Sequence, residues 1–501
     1  MAESLRRVVG LVLGPLLFAI CVLAPPATDP ASGSYINPEA PWAPNFALGL
    51  LLWIITWWFS EALPFGLTAL VAAVATCIAI ALDPKAFGYD KVKQGVTSTL
   101  EVFFHPLIWV FFGGFVLGYG MQRSGLAKRL SMKIVKIFAS TGDFFWIVVG
   151  MWAAVWFLSM WMSNTAATAV MYPLLLAVVT SATTLSDKQR EFAMIGLAYA
   201  ASIGGIATLI GTPPNLVATS QLSRYGVAEI TFFDWLKWGL PISIVLFVLL
   251  LVFGKVIFGR ASIDRSLVER RIEELGPLSI EEKLFIATFV VTVSLWILRG
   301  LSRVVPALKI FEVIVPHDAV PALIAPLLLF GVPKSLNPYQ PVFSWKEGLS
   351  KMDWDTLFLF AGGLIVGDAL FKTGAGKWIS LVLVGRHATP TTVLLVGVVL
   401  TWIITQFASN TATTNMMAPL LISIGTTAHF ATGTTTSIVV TAAIAASLAF
   451  LLPVSTPPNA IVFGSGIVKM ERMALYGVLF SAVALPITLV LASVLCGAPL
   501  M

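Results

Sequence analysis

Charge is what this chain has least of. Only 11% of its 501 residues are charged, against 58% hydrophobic. A soluble domain carries roughly 25% charged residues, so the exterior must face lipid rather than water. Cysteine is nearly absent too. Cys21, Cys77 and Cys496 are scattered in apolar surroundings, which excludes a disulfide framework and a Cys/His zinc site. His105, His317, His387 and His429 are isolated and suit boundary or packing roles. The net charge of +6 is no nucleic-acid signature, because the basic residues sit in short loops between apolar runs. Two long stretches, 144–186 and 387–468, contain no Asp, Glu, Lys or Arg at all. With no nucleophile–base pair and no phosphate-binding glycine loop, catalysis is not expected.

Apolar runs able to cross a bilayer occur at about 8–24, 44–62, 65–83, 105–121, 192–219, 235–258, 283–300, 318–332, 355–371, 434–468 and 473–497. The first follows Arg6-Arg7 and ends at Pro25-Pro26, a poor cleavage site, so it reads as a retained membrane helix. Two more apolar stretches, about 144–181 and 390–426, hold short polar islands: Ser163-Asn164-Thr165 and Ser409-Asn410-Thr411. Each island reads as the tip of a re-entrant hairpin. Folded so, the hairpins put Lys128, Arg129, Lys133, Lys188, Arg190, Lys334, Lys346, Lys351, Lys469 and Arg472 on one side, the cytoplasmic one. They leave Arg299, Arg303, Lys309, Lys372, Lys377 and Arg386 outside, partly balanced by Glu312 and Asp318. The expected fold is an all-α polytopic membrane protein with about eleven transmembrane helices and two re-entrant hairpins. Its N-terminus is inside and its C-terminus outside. Residues 259–282 read as a charged cytoplasmic connection, with a surface helix over 262–275.

The chain repeats itself. Gly211-Thr-Pro-Pro-Asn215 follows the first island, and Ser455-Thr-Pro-Pro-Asn459 follows the second. Upstream, Gly113-Gly114 with Gly118 matches Gly362-Gly363 with Gly367, and Ser124-Gly125 matches Thr373-Gly374. Matched residues are 249 apart at the glycines (113 to 362), 246 at the islands (164 to 410) and 244 at the later echo (212 to 456). The first glycine helix runs outside to inside and the second inside to outside, which makes the repeat inverted. Polar groups and broken backbone at membrane depth persist where they line a cavity or bind something. Inverted repeats with broken helices build one such site from both halves. Hydroxyls, amides and main-chain carbonyls suit a hard cation, and helix N-termini suit an anion. Cations bound beside the anion would offset its charge. One island alone could be a helix cap.

These paired Ser-Asn-Thr islands and Thr-Pro-Pro-Asn breaks resemble the divalent anion/sodium symporter family, which includes the INDY-type dicarboxylate and citrate carriers. The resemblance covers nearly the whole chain. The form Met162-Ser-Asn-Thr-Ala-Ala-Thr-Ala-Val-Met171 looks like the sodium-coupled branch. It implies a homodimer in the plasma (inner) membrane that works by an elevator mechanism: a scaffold part (about 1–140 and 283–388) and a transport part (about 141–258 and 389–501). By motif position, one Na⁺ would lie near Ser159, Ser163, Asn164 and the Gly211 carbonyl. The other would lie near Thr405, Ala408, Asn410 and Ser455. The family often has alanine at position 455, so an intruding hydroxyl there would put the second cation site in question. Substrate carboxylates would meet Asn164, Thr165, Thr212, Asn410, Thr411 and Thr456, with Pro457 packing close. The implied activity is sodium-coupled uptake of C4-dicarboxylates such as succinate, malate and fumarate. A dicarboxylate exchanger, a proton-coupled carrier and a non-transporting anion receptor are the alternatives. Asp368, in an apolar run four residues before Lys372, reads as either a proton carrier or a boundary residue. Glu61 reads as a turn anchor.

Overall fold

The computed structural model describes residues 2–139, 143–182, 185–259, 276–383 and 389–497. His387, Arg386 and the expected surface helix over 262–275 lie outside the described residues. Among the described residues the fold is helical, with one small β-hairpin, Pro333–Leu336 paired antiparallel with Tyr339–Pro341, that no periodicity announced.

Both islands break their apolar stretches in two. The first gives helices Phe144–Ser159 and Asn164–Ser181, and the second gives Pro390–Thr405 and Asn410–Thr427. Within each stretch the two helices pack on one another, as a hairpin requires. The later echoes also break helices. The expected spans 192–219 and 434–468 are each two helices, Asp187–Ile206 with Pro213–Arg224 and Thr432–Ala446 with Pro457–Phe463. The prolines sit at the first two positions of the second helix in each case. There the missing amide hydrogen is no loss, because it would have no helical partner.

Among the described residues nine helices are long and apolar enough to cross a membrane. A tenth forms if Pro306–Ile314 and Ala319–Gly331, bent by 66°, count as one span. Eight of the nine fall on expected spans, and the ninth, Asn164–Ser181, is an arm of the first hairpin. Of the three expected spans not among them, 192–219 and 434–468 are each interrupted, and 318–332 is the short arm of the bent pair.

The repeat is visible in three dimensions. Each glycine helix, Pro106–Arg123 and Trp354–Thr373, is followed by a glycine with φ of +84°, Gly125 and Gly374. That left-handed conformation favours glycine and turns the chain into a short helix, Leu126–Ala139 or Ala375–Leu383. A Cβ on Gly113 would fall 2.5 Å from the Ala322 carbonyl, and one on Gly362 would fall 2.6 Å from Ala69 Cβ. The paired glycines thus let each helix seat against a neighbour, Ala319–Gly331 or Phe65–Leu82.

The broken segments cross between repeats. Pro213–Arg224 of the first packs against Asn410–Thr427 and Thr432–Ala446 of the second. Pro457–Phe463 of the second packs against Asn164–Ser181 and Asp187–Ile206 of the first. Both islands and both echoes are thereby drawn to one place.

Three of the cations expected outside are partnered. Arg299 lies 3.1 Å from Asp318 and 3.0 Å from Glu229, Arg303 lies 3.0 Å from Glu229, and Lys372 lies 3.7 Å from Asp368. Glu61 caps helix Ala43–Ser60 in a left-handed conformation and pairs with Arg6, as a turn anchor should. His105 and His317 accept from the backbone amides of Leu107 and Ala319.

Candidate functional site

A cavity of about 990 Å³ opens between the glycine helix Pro106–Arg123 and the interleaved broken segments. Its floor carries Asn164, Thr165, Gly211 and Thr212 from the first repeat. Asn410, Thr411, Ser455, Thr456 and Pro457 come from the second. All seven residues expected to meet substrate therefore line one cavity. Charge is confined to the mouth, where Glu61, Arg123, Glu347, Lys351 and Asp353 stand and Arg123 pairs with Glu347 at 3.0 Å.

Behind the floor lie two matching oxygen clusters. In the first, the buried Ser159 hydroxyl is 2.7 Å from Asn164 Oδ1 and 2.7 Å from the Ala201 carbonyl. In the second, the buried Thr405 hydroxyl is 2.8 Å from Asn410 Oδ1 and 2.6 Å from the Ala446 carbonyl. A hydroxyl has one proton to give, so each can satisfy only one of its two oxygen neighbours at a time. Such a surplus of buried lone pairs suits a small hard cation with oxygen ligands. Glycine keeps the first cluster open: a Cβ on Gly205 would fall 2.6 Å from Asn164 Oδ1.

The asparagines of the echoes hold the breaks in shape. Asn215 Nδ2 donates to the carbonyls of Gly205 (3.0 Å) and Thr208 (2.8 Å). Asn459 Nδ2 donates to those of Ala449 (3.0 Å) and Leu452 (3.0 Å). These serve the Gly205 and Ala449 carbonyls near the end of the preceding helix and add a second donor to those of Thr208 and Leu452, which already accept from the amides of Gly211 and Ser455. Ser163 also caps its helix, accepting from Ala166, whereas Ser409 makes no such bond. Capping thus accounts for part of one island and none of the other's serine.

The Ser455 hydroxyl does not point into open space. It donates to the Gln406 carbonyl at 2.7 Å and accepts from the Leu452 amide at 3.2 Å. In the first repeat Thr208 does the matching work, donating to the Met160 carbonyl at 2.5 Å. The Ser455 carbonyl is left as the group comparable to that of Gly211. Ser163 and Ala408 complete the expected sets, Ser163 on the cavity wall and Ala408 buried behind it.

Sequence reasoning missed Gln406. It is buried, its amide donates to the Trp402 (2.9 Å) and Leu448 (3.2 Å) carbonyls, and its oxygen accepts from Leu451 (3.1 Å). A long amide three residues before an island, inside a charge-free stretch, was the available signal. Arg224 was missed as well. It makes a two-pronged contact with Asp368 at 3.1 and 2.6 Å, so Asp368 is neither a free acid nor a bare boundary residue.

Comparison with known proteins identifies the family. The sequence model described as "Citrate transporter" matches residues 50–442. The sodium-dependent dicarboxylate transporter SdcS of Staphylococcus aureus is 31% identical over 495 residues, covering 95% of this chain and 88% of that one. Among solved structures, Neisseria gonorrhoeae MtrF superposes with a TM-score of 0.55 at 16% identity, covering 89% of this chain and 99% of its own. The Alcanivorax borkumensis YdaH transporter gives 0.55 at 14%, covering 86% and 98%. At those identities the two structures support the fold alone. The relatives are transporters, not enzymes, and the helical, lipid-facing chain is an integral membrane protein. The chain belongs to the citrate-transporter family, as a member of the divalent anion/sodium symporters.

Proposed function

We propose that the protein carries C4-dicarboxylates such as succinate, malate and fumarate into the cell, driven by Na⁺. The observation that carries this reading is the pair of proton-poor oxygen clusters flanking a charge-free cavity floor. Na⁺ at Ser159, Ser163, Asn164 and Gly211, and a second at Thr405, Ala408, Asn410 and Ser455, would supply the positive charge that the floor lacks. A dianion would then bind to Asn164, Thr165, Thr212, Asn410, Thr411 and Thr456, beside Pro457, with one carboxylate toward each repeat. Binding would be reciprocal, each Na⁺ tightening the anion by the factor by which the anion tightens Na⁺.

Movement follows the elevator scheme. Residues of about 141–258 and 389–501 carry the site past a scaffold of about 1–140 and 283–388, within a homodimer. Residues 259–282 link the halves on the cytoplasmic face. With the basic loops inside, the cavity mouth at Arg123, Glu347 and Lys351 faces the cytoplasm, and this is the inward-open state.

The test is uptake of labelled succinate into liposomes holding the purified chain. External Na⁺, K⁺ in its place, and succinate preloaded inside are compared. Uptake that needs Na⁺ and no preload is the expected result. Uptake that needs only preload makes the protein an exchanger and withdraws both cation sites. The "Citrate transporter" description of the family favours one second reading, a tricarboxylate cargo. Competition by citrate in the same vesicles decides it.

A further inference from the structure

The helix Pro213–Arg224 begins at the cavity floor, at Thr212, and ends about 18 Å away, at a rise of 1.5 Å per residue. Its far end meets the other glycine helix, Trp354–Thr373. There Arg224 Nε and Nη2 donate to the two oxygens of Asp368 at 3.1 and 2.6 Å. The two side chains are 27% and 13% exposed. Tyr225 stacks on Phe371 with ring centroids 3.8 Å apart. Gln221 is fully buried, and neither end of its amide has a hydrogen-bond partner among the described residues. A Cβ on Gly367 would fall 2.4 Å from the Tyr225 hydroxyl and 3.1 Å from Gln221 Oε1. A guanidinium, an amide and a phenol therefore converge beside Gly367 and Asp368.

These groups come from different bodies. Pro213–Arg224 packs with Asn410–Thr427 and Thr432–Ala446 of the transport part, whereas Trp354–Thr373 seats mainly on Phe65–Leu82 of the scaffold part and touches Asn410–Thr427 as it touches Ala43–Ser60. We propose that Arg224, Gln221 and Tyr225 form an outer carboxylate-binding subsite, which the Asp368 carboxylate occupies in this state. The subsite rests on the dicarboxylate reading above. Three physical points support it. A planar guanidinium accepts any carboxylate in the same two-pronged way, whether a side chain's or a substrate's. A buried amide with no partner is unfavourable here, so the arrangement is completed in another state. When the bodies separate, Asp368 keeps a cation of its own, Lys372 at 3.7 Å, while Arg224 is left to an incoming anion.

The alternative is that the ion pair is only a clasp holding the outer side shut, and the two make opposite predictions. Breaking a clasp from either side favours the outward-open state and lowers the KM for external substrate in both variants. The subsite gives opposite signs. Asp368→Asn removes a competitor and lowers external KM about threefold, since the contest is between partly exposed charges. Arg224→Gln removes the ligand and raises KM about tenfold, the size expected for a hydrogen bond to a charged group. Arg224→Lys keeps the charge but not the fork and falls between.

Initial succinate uptake by intact cells at saturating Na⁺ reads only the outer face, with surface expression as the control. Opposite shifts support the subsite. Shifts of one sign, or none, overturn it and leave the carrier reading in place. Absence of wild-type uptake overturns both. If Arg224→Gln does not fold, Arg224→Lys takes its place: a KM raised in Arg224→Lys and lowered in Asp368→Asn supports the subsite, and any other pair of shifts overturns it.

Discussion

Ser159→Ala is the sharpest perturbation of the first oxygen cluster. The hydroxyl is fully buried and sits 2.7 Å from both Asn164 Oδ1 and the Ala201 carbonyl. Removing it deletes the hydroxyl proton that two acceptors share and one of the cluster's three oxygens. In the cation-free protein the change is modest, because one donor had been shared between two acceptors, and about 1 kcal/mol of folding stability is lost. The cation-loaded protein loses a ligand outright. A loss of 1.4 kcal/mol is a tenfold change in affinity, so the Na⁺ concentration for half-maximal uptake is expected to rise about tenfold. Linkage then fixes the rest of the pattern. Succinate affinity falls at low Na⁺ and returns to the wild-type value as Na⁺ saturates. Thr405→Ala is expected to behave alike, since its hydroxyl stands at 2.8 and 2.6 Å from the matching pair. The assay is initial uptake over a grid of Na⁺ and succinate concentrations in proteoliposomes. A succinate affinity lowered by the same factor at every Na⁺ concentration refutes the reasoning, because the hydroxyl would then serve the anion and not a cation.

Three further outcomes are expected. Asn164→Ala and Asn410→Ala each remove a side chain shared by a cluster and the cavity floor. Uptake should be abolished while thermal unfolding in detergent stays cooperative, and wild-type uptake in both would sink the site assignment. Asn459→Ala takes its donor from the buried Ala449 carbonyl and one of two donors from that of Leu452. At about 1–3 kcal/mol for the unsatisfied group, it should lower the melting temperature more than Asn410→Ala does. Glu229 supplies a pH dependence. Burial alone would raise its carboxyl, but the hydrogen bond from Arg299 and the charges of Arg303, Arg299 and His317 outweigh that and hold it below the usual carboxylate range. A depressed folded value contributes stability that is present above the unfolded value and lost as pH falls through the folded one. Thermal stability should therefore drop on acidification below the usual carboxylate range, and Glu229→Gln should flatten that drop.

How much of this was legible depended on whether a feature repeats. The islands, the Thr-Pro-Pro-Asn echoes and the glycine faces each occur twice in matching order, and each is a local break that the backbone must make wherever the sequence occurs. Breaks at Met160–Ser163 and Gln406–Ser409 were readable because polar residues without charge, set in apolar sequence, have few other uses at membrane depth. The division of 192–219 and 434–468 into two helices each was written in Pro213-Pro214 and Pro457-Pro458, yet the apolar runs on either side masked it. Partnerships between distant residues were not legible. Asp368 looked solitary because Arg224 is 144 positions away in the chain. Arg299 looked misplaced outside because Asp318 and Glu229 come to it only in the fold. Gln406 was marked only as a long amide in a charge-free stretch; its partners are backbone groups, which every sequence contains, so its role was not legible.

Inverted repeats make one conformation a forecast of the other. Here Gly363 and Gly367 are covered, by Asn415 and by Gln221 with Tyr225, while their counterparts Gly114 and Gly118 line the open cavity. If the halves exchange roles during transport, Gly118 should be covered by the residue matching Gln221. The offset at the later echo places that match at Ser465, and the offset at the glycines takes Gly367 to Gly118. In the present state Gly118 has only Met162 near its empty Cβ position, 3.5 Å away. A cysteine pair Gly118→Cys with Ser465→Cys, in a chain with Cys21, Cys77 and Cys496 replaced by serine, should therefore cross-link only after the transport part has moved. Cross-linking should arrest uptake, and reduction should restore it, because a disulfide needs Cα atoms within about 7 Å. Full uptake with no cross-link under oxidising conditions would mean that the inner side closes on other residues. The repeat would then describe the fold's ancestry and not its motion. Motion by exchange of halves demands the cross-link, since the same glycine face must be buried once on each side of the membrane in every cycle.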